Sequence, residues 1–151
     1  MDKDRIIESK SPEETFSVGE ALGKEAKPGD VYALLGDLGV GKTVFTQGFA
    51  KGLGIKDSVN SPTFTILQVY EEGRIPLYHF DVYRIGDPSE MDEIGFDEYV
   101  YGNGVSLIEW ANLIEEIMPD HYMEITISKD LNKAATESCG FDYRKIQVKM
   151  K

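Results

Sequence analysis

The chain has 151 residues with a hydrophobic content of 41% and a charged content of 28%, values typical of one globular domain covering residues 1–151. No apolar run approaches membrane-spanning length, the first residues lack a signal-peptide pattern, and a single cysteine cannot form an internal disulfide, so we expect a cytoplasmic protein. The 27 acidic and 16 basic residues give a formal net charge of −11, which argues against unaided nucleic-acid binding because phosphate contacts require basic side chains.

The first predicted elements are a short strand over residues 5–9 and a helix that continues to about Ala26. Ser11 is a typical N-cap, Pro12 follows in the first turn, and Glu14 is spaced to complete a capping box. A Pro-Gly pair at residues 28–29 ends this helix. The helix either only packs against a core or also lies over a ligand, and its sequence does not distinguish the two.

The next segment has the order strand, glycine-rich loop and helix. Residues 31–35 form an apolar run of strand length, and residues 43–53 predict a helix ended by a glycine. Between them, Gly36-Asp37-Leu38-Gly39-Val40-Gly41-Lys42-Thr43 fits the P-loop pattern. In this motif backbone N–H groups surround phosphate oxygens, Lys42 supplies an ammonium group and Thr43 offers a hydroxyl to magnesium. The sequence therefore predicts nucleotide binding here.

A proline-containing loop and a hairpin follow the P-loop helix. The loop, Ser61-Pro62-Thr63-Phe64-Thr65, is either a simple turn or a switch-like segment beside the γ-phosphate. Residues 65–70 and 75–83 predict two strands joined by a short turn at residues 71–74. A hairpin next to the strand, loop and helix of a P-loop predicts a mixed sheet.

The second hairpin strand ends in polar residues that share one face by the alternation of a strand: His79, Asp81 and Tyr83. This face either holds a water molecule near the phosphates through Asp81 or simply faces solvent. Arg84, one of four arginines in the chain, is the nearest candidate for neutralising phosphate charge. Residues 87–98 then carry six carboxylates, which form either a solvated face or a docking surface for a basic partner.

Residues 105–108 form an apolar run that closes on Glu109, the arrangement of a Walker B strand that delivers an acid to a magnesium site. Asp81 competes for this role. Glu109 has the better apolar lead-in, whereas the polar neighbours of Asp81 suit the positioning of water. Trp110 is either a core residue or a contact of the ligand.

The rest of the chain predicts a short helix over residues 112–118, stopped by Pro119, and two strands of alternating polarity over residues 123–128 and 145–150. We expect these two strands to pair at one edge of the sheet. The polar segment 129–143, which includes Cys139, matches no motif, and its cysteine is expected to be inert.

Four motifs in this order and spacing resemble the TsaE (YjeE) family, P-loop ATPases of bacterial threonylcarbamoyladenosine synthesis. They are the P-loop, Ser61-Pro62-Thr63-Phe64, His79-Phe80-Asp81-Val82-Tyr83-Arg84 and Ile108-Glu109-Trp110. The resemblance covers nearly the whole chain. It implies a single-domain α/β P-loop NTPase with a mixed, mostly parallel central sheet flanked by helices. It also implies an ATP- and Mg²⁺-dependent accessory role beside TsaB and TsaD, which transfer threonylcarbamoyl to the adenosine next to the tRNA anticodon.

By motif match, the resemblance implies that Lys42 contacts the phosphates and acts in catalysis, that Thr43 and Glu109 hold magnesium, and that Asp81 is the catalytic carboxylate. Ser11 would lie near the adenosine. The implied nucleotide-binding residues are Ser11, Asp37, Leu38, Gly39, Val40, Gly41, Lys42, Thr43, Val44 and Trp110.

Two other enzyme classes fit poorly. A small-molecule P-loop kinase commonly clamps phosphates with an arginine-rich lid, and the four arginines here are scattered. A GTPase needs an Asn-Lys-x-Asp motif, and Asn132-Lys133-Ala134-Ala135 lacks the aspartate. A nucleotide-gated docking protein with little turnover remains open, because a weak and a strong ATPase can share every motif. Whichever holds, no direct tRNA binding is expected of the isolated chain.

Overall fold

The computed structural model describes residues 4–36, 40–56, 59, 66–129 and 142–151. Within these residues the strands are β1 (Arg5–Ser9), β2 (Val31–Leu35), β3 (Leu67–Tyr70), β4 (Leu77–Asp81), β5 (Val105–Glu109), β6 (Met123–Ser128) and β7 (Arg144–Met150). The α-helices are α1 (Pro12–Glu25), α2 (Lys42–Gly52) and α3 (Phe96–Val100), and two 3₁₀ helices span Pro88–Ile94 and Ala111–Ile117.

The described strands form one sheet in the order β1-β7-β6-β2-β5-β4-β3. The four central strands, β6, β2, β5 and β4, run parallel to their neighbours in this group. Antiparallel pairs flank them, with β7 and β1 on one side and β3 on the other. The predicted hairpin, with shorter strands, and the predicted mixed sheet flanked by helices are both present.

One expectation about the sheet was wrong. Strands β6 and β7 pair as expected, but they do not form the edge of the sheet. The whole of β1 pairs with the other side of β7. The seven residues of β7 offer hydrogen-bonding groups on both sides, and the first strand of the chain occupies the outer side. This pairing joins the two ends of the described chain, a non-local contact that the sequence of neither strand indicates.

Helices α1 and α2 cross on one face of the sheet with unusually close backbones. Four glycines lie at the crossing: Gly19 and Gly23 from α1, and Gly48 and Gly52 from α2. A Cβ atom on Gly48 would lie 2.0 Å from the carbonyl oxygen of Phe16, and one on Gly23 would lie 2.2 Å from that of Phe49. Glycine is therefore required for the helices to approach this closely, and the crossing fixes the position of α2.

The start of α1 agrees with the predicted N-cap, since the Glu14 N–H donates to the Ser11 side chain at 3.1 Å. The predicted capping box closes differently. The Glu14 carboxylate accepts from the N–H of Lys10, one residue before the cap, at 3.2 Å. At its other end, Arg74 from the hairpin turn donates to the carbonyls of Gly23, Lys24 and Ala26.

The sheet separates two apolar clusters. The first joins α1 and α2 to side chains such as Leu34, Leu107 and Ile125. The second joins the opposite face, including Phe80 and Ile108, to the 3₁₀ helices and α3. The acidic segment 87–98 thus buries Met91 and Phe96 in this second cluster, while Asp87 and Glu90 cap the 3₁₀ helix through the Ser89 and Asp87 backbone N–H groups. This segment therefore packs against the sheet through its apolar residues and also carries acidic side chains.

The predicted helix over residues 112–118 is a 3₁₀ helix that is broken at Ile114, where φ is −124° and ψ is 28°. It ends at Ile117, and the next residue, Met118, has the extended backbone that is favoured before a proline. Within the described part of the chain, no helix combines the length and apolar character needed to cross a membrane.

Candidate nucleotide-binding site

The P-loop begins where β2 ends, at the carboxyl edge of the parallel strands. Gly36 and Gly41 have φ angles of +150° and +105°, which other residues rarely adopt. At Gly36 a Cβ would also lie 2.6 Å from the carbonyl oxygen of Ile127 on β6, so the backbone of the loop packs directly on the sheet. Helix α2 starts at Lys42, immediately after Gly41. The predicted binding residues Asp37, Leu38 and Gly39 lie outside the described residues.

Two carboxylates lie together at this edge. Asp81 and Glu109 are register partners in the parallel pair of β4 and β5, and Glu109 is also paired with Leu34 of β2. Both acids therefore end strands on the same edge from which the P-loop leaves. The side chain of Glu109 is buried, whereas Asp81 is half-buried. From the sequence the two acids were competitors for one role, and the register places both at the same edge.

Glu109 is paired with a histidine of the neighbouring strand. The Nε2 atom of His79 lies 2.8 Å from Oε2 of Glu109, and both side chains are at most 3% exposed. The interpretation of residues 79–83 as a solvent-facing strand end was thus wrong for His79, because its face of β4, which it shares with Leu77, is covered by α1 and α2. Sequence reasoning placed His79 beside Asp81 by alternation but assigned it no partner, since the diagonal contact with Glu109 depends on strand order.

The pKa of Asp81 is raised above its ordinary value. Loss of solvent through burial is the largest cause, and the negative charge of Glu109 acts in the same direction. A hydrogen bond from the N–H of Tyr83 to Oδ1, at 3.1 Å, opposes this shift, and so do His79 and Lys42. The carboxylate of Asp81 therefore has a higher proton affinity than an exposed aspartate.

Lys42 and Trp110 are in direct contact. The ammonium nitrogen of Lys42 lies 3.9 Å from the centroid of the Trp110 ring, within cation–π distance. Trp110 has a φ angle of +64°, the one positive value among the non-glycine residues that the structure describes. Its ring is also 4.8 Å from that of Tyr83. Trp110 thus packs against the second apolar cluster and also lies beside the P-loop lysine.

A cavity of about 200 Å³ borders the P-loop on the side of α1. It is lined by Pro12, Thr15, Val40, Gly41, Val44, Asp142 and Arg144. Ser11 caps α1 immediately before Pro12, so it lies near the rim of this cavity. The predicted binding residues Val40, Gly41 and Val44 all line it. A larger cavity, of about 250 Å³, lies at the amino end of β2 and β6, and none of its lining residues belongs to the P-loop.

Arg144, the first residue of β7, is a site residue that sequence reasoning missed. Its Nε atom donates to the carbonyl of Val40 in the P-loop at 2.9 Å. Arg84, the arginine that the sequence favoured, is exposed. Arg144 is distant from every motif in the sequence, and only the pairing of β6 with β7 places it at the P-loop.

The oxygen donors of the site suit magnesium. The hydroxyl of Thr43, exposed on the first turn of α2, and the carboxylate of Glu109 are of the hard type that Mg²⁺ prefers. No group of three or more His, Cys, Asp or Glu side chains among the described residues forms a metal cage.

Comparisons with known proteins agree with the motifs. The family model described as Threonylcarbamoyl adenosine biosynthesis protein TsaE matches residues 9–137. The chain is 56% identical over 119 residues to the tRNA threonylcarbamoyladenosine biosynthesis protein TsaE of Bacillus subtilis (strain 168), covering 79% of this chain and 74% of that protein. The protein of the same name from Treponema pallidum (strain Nichols) is 42% identical over 119 residues, covering 79% and 87%.

A solved structure is also similar. The crystal structure of YdiB from Bacillus subtilis matches with a TM-score of 0.77 at 42% identity, covering 98% of this chain and 86% of that one. Sequence and structure thus agree over most of the chain, and the resemblance based on four motifs is confirmed. The chain belongs to the TsaE family of ATP-binding P-loop proteins.

Proposed function

We propose that this protein binds and hydrolyses ATP with Mg²⁺ as an accessory subunit of tRNA threonylcarbamoyladenosine synthesis, acting with TsaB and TsaD. The observation that carries the proposal is the meeting of Lys42, Asp81 and Glu109 at one edge of the sheet, where β2 leads into the P-loop. The names of the curated relatives support the assignment to this pathway.

In this proposal the P-loop backbone and Lys42 bind the phosphates, and Ser11 and Val44 lie near the adenosine, beside the cavity between α1 and the loop. Thr43 and Glu109 hold the magnesium ion, which when bound neutralises charge on the phosphate oxygens. Trp110 holds the buried ammonium group of Lys42 against its ring until the nucleotide binds.

Asp81 orients the attacking water and accepts its proton. Two features support this role. Its side chain is half-buried beside Glu109, and its raised pKa makes it a better proton acceptor than an exposed aspartate. Because the N–H of Tyr83 holds one carboxylate oxygen, the orientation of the other is also restricted.

The acidic composition of the chain agrees with an accessory role. With a net charge of −11, the chain repels a polyanion, so we propose that the partner subunits hold the tRNA while this protein supplies ATP turnover. The acidic segment 87–98, fixed on the sheet by Met91 and Phe96, is available for contact with a basic partner surface.

The test is ATP affinity, measured by calorimetry on the wild type, on Lys42→Ala and on the control Lys51→Ala. Lys51 lies on the same helix, but its side chain is 64% exposed and its ammonium group lies 3.9 Å from the carboxylate of Glu20 on α1. We expect Lys42→Ala to weaken ATP binding about 10- to 100-fold, since a charge-assisted contact contributes about 1.5–3 kcal/mol. Lys51→Ala should bind like the wild type.

Equal affinity in Lys42→Ala and the wild type would contradict the proposed site. Turnover of the pure protein, with and without TsaB and TsaD, then separates an ATPase from a nucleotide-gated docking protein. Hydrolysis that stays at the background rate under both conditions would favour the docking protein.

A further inference from the structure

We propose that His79 is a positioning residue that holds the carboxylate of Glu109 in the orientation needed for the magnesium–ATP site. The inference deepens the proposed function and rests on it, because it concerns the residue proposed as the metal ligand. The structural observation is the buried contact between Nε2 of His79 and Oε2 of Glu109 at 2.8 Å.

The contact runs diagonally across two parallel strands. His79 is paired in register with Leu107, and Glu109 is paired with Asp81. Because residues two apart share one face of a strand, His79, Asp81, Leu107 and Glu109 lie on the same face of the sheet. This is the face that α1 and α2 cover, since Leu107 belongs to the same apolar cluster as Phe45 of α2. His79 thus reaches from the core toward the edge that carries the P-loop.

Burial makes the contact consequential for Glu109. An ionised carboxylate that is 2% exposed requires hydrogen-bond donors to offset its loss of solvent. A carboxylate oxygen only accepts, so the proton of this bond belongs to Nε2 of His79. The bond engages one named oxygen, Oε2, and thereby restricts rotation of the carboxylate about its last torsion. Groups that hold a metal-ligating carboxylate in this way typically contribute 10- to 100-fold to metal affinity.

The competing interpretation is that His79 only fills space in the core. Both interpretations predict that losing the histidine lowers stability. Only the positioning role predicts that the magnesium dependence of ATP binding falls while ATP binding without metal is retained. The two measurements therefore separate the interpretations.

The experiment compares ATP affinity at saturating Mg²⁺ and in EDTA, by calorimetry, for the wild type, His79→Phe, His79→Gln and His79→Asn. Phenylalanine keeps a ring and removes the donor. The amide of glutamine places an N–H near the position of Nε2, whereas that of asparagine lies near Nδ1, out of reach of Glu109. We expect His79→Phe and His79→Asn to lose about 10-fold of the affinity that magnesium adds, and His79→Gln to keep most of it.

Ser106→Ala is the matched control. Ser106 is also fully buried on β5, and its hydroxyl has no hydrogen-bond partner among the described residues. Its side chain points to the opposite face from Glu109, because the two residues are three apart in the strand. Ser106→Ala should therefore show the magnesium dependence of the wild type, and in EDTA all variants should bind ATP within about twofold of one another.

The variant Glu109→Gln separates a failure of the positioning role of His79 from a failure of the proposed metal role of Glu109. If Glu109→Gln keeps full magnesium dependence, the proposed metal role of Glu109 fails, and the positioning role fails with it. If Glu109→Gln loses that dependence but His79→Phe keeps it, the positioning role alone is overturned. Should His79→Phe fail to fold, equal magnesium dependence in His79→Gln and His79→Asn would overturn it as well.

Discussion

Two carboxylates lie side by side at the carboxyl edge of the sheet, and their surroundings differ. Glu109 is buried and bonded to His79, whereas Asp81 is half-buried and bonded to the N–H of Tyr83. Differences of this kind let neighbouring acids take separate roles in one site. The buried, oriented acid suits a fixed metal ligand, and the acid with greater access to water suits proton transfer.

This difference predicts separate effects of the two amide substitutions. Glu109→Gln should weaken magnesium-dependent ATP binding, because it removes the charge proposed to face the ion. Asp81→Asn should leave ATP binding within about threefold of the wild type and lower turnover by about 100-fold or more, since a general base acts mainly in the transition state. Calorimetry and a phosphate-release assay measure the two quantities. If Asp81→Asn is the variant that loses magnesium dependence, the roles are exchanged.

The raised pKa of Asp81 also predicts how stability responds to pH in the nucleotide-free protein. An acid whose pKa is higher in the folded state favours folding while it is protonated, and that contribution is lost as pH rises through the folded pKa. At neutral pH the ionised Asp81 therefore destabilises the fold relative to a neutral residue of the same shape. We expect Asp81→Asn to melt at or above the wild-type temperature at pH 7, with a difference that shrinks as pH falls toward the ordinary aspartate value of 3.8.

Thermal unfolding followed by circular dichroism between about pH 4 and pH 7 measures this difference. Asp97→Asn is a suitable control, because Asp97 is an exposed acid outside the site. A gap between Asp81→Asn and the wild type that widens on acidification would contradict the burial of Asp81.

At the scale of the elements, the site depends on where α2 lies, and the glycine crossing with α1 sets that position. Gly48 packs against the backbone of Phe16, and Gly19 packs against that of Phe45. The helix that carries Lys42 is thus held by backbone contacts on one face and by the sheet on the other. Small shifts of α2 would move Lys42 relative to Asp81 and Glu109.

We therefore expect Gly48→Ala to destabilise the protein by about 1–3 kcal/mol, because the added Cβ would overlap a carbonyl oxygen that cannot move independently. The corresponding fall in melting temperature is about 2–12 °C for a chain of this size. Gly86→Ala is the control, since its Cβ would meet no atom closer than 3.5 Å. Equal melting temperatures for Gly48→Ala and Gly86→Ala would mean that the helices separate at little cost.

The elements themselves were largely predictable, because each has a local signal. The glycine spacing at residues 36–41 indicated the P-loop, and the alternation in residues 123–128 and 145–150 indicated β6 and β7. The strand order was not predictable, since pairing β1 with β7 is a contact between distant parts of the chain. For the same reason the sequence suggested that Asp81 and Glu109 share a site, but not that His79 bonds Glu109 or that Arg144 reaches the P-loop.

For the whole molecule, net charge is the property with the clearest functional consequence. The chain carries 27 acidic and 16 basic residues, and its acidic segment 87–98 is fixed on the outside of the sheet. Each useful contact with a nucleic-acid phosphate requires a basic side chain. Screening at physiological salt, with a Debye length of about 8 Å, weakens repulsion but creates no attraction.

We therefore predict no measurable binding of the isolated protein to tRNA near neutral pH, with or without ATP. Binding to the TsaB and TsaD subunits should instead depend on the nucleotide and fall in Lys42→Ala. A gel-shift titration tests the first expectation, and a pull-down with ATP or ADP tests the second. Tight tRNA binding by the protein alone would refute this view of its charge, and partner binding indifferent to the nucleotide would refute the proposed coupling.

The contact between Trp110 and Lys42 gives the protein an optical signal of its own. Trp110 is the single tryptophan in the chain, so all indole fluorescence arises 3.9 Å from the ammonium group that is proposed to meet the phosphates. The emission of an indole responds to a nearby charge and to its exposure to water. Any ligand that draws Lys42 away from the ring changes both. Nucleotide occupancy of the P-loop can therefore be followed in real time through the fluorescence of the unlabelled protein. The same measurement works with partner proteins present if they lack tryptophan or if their own fluorescence is subtracted.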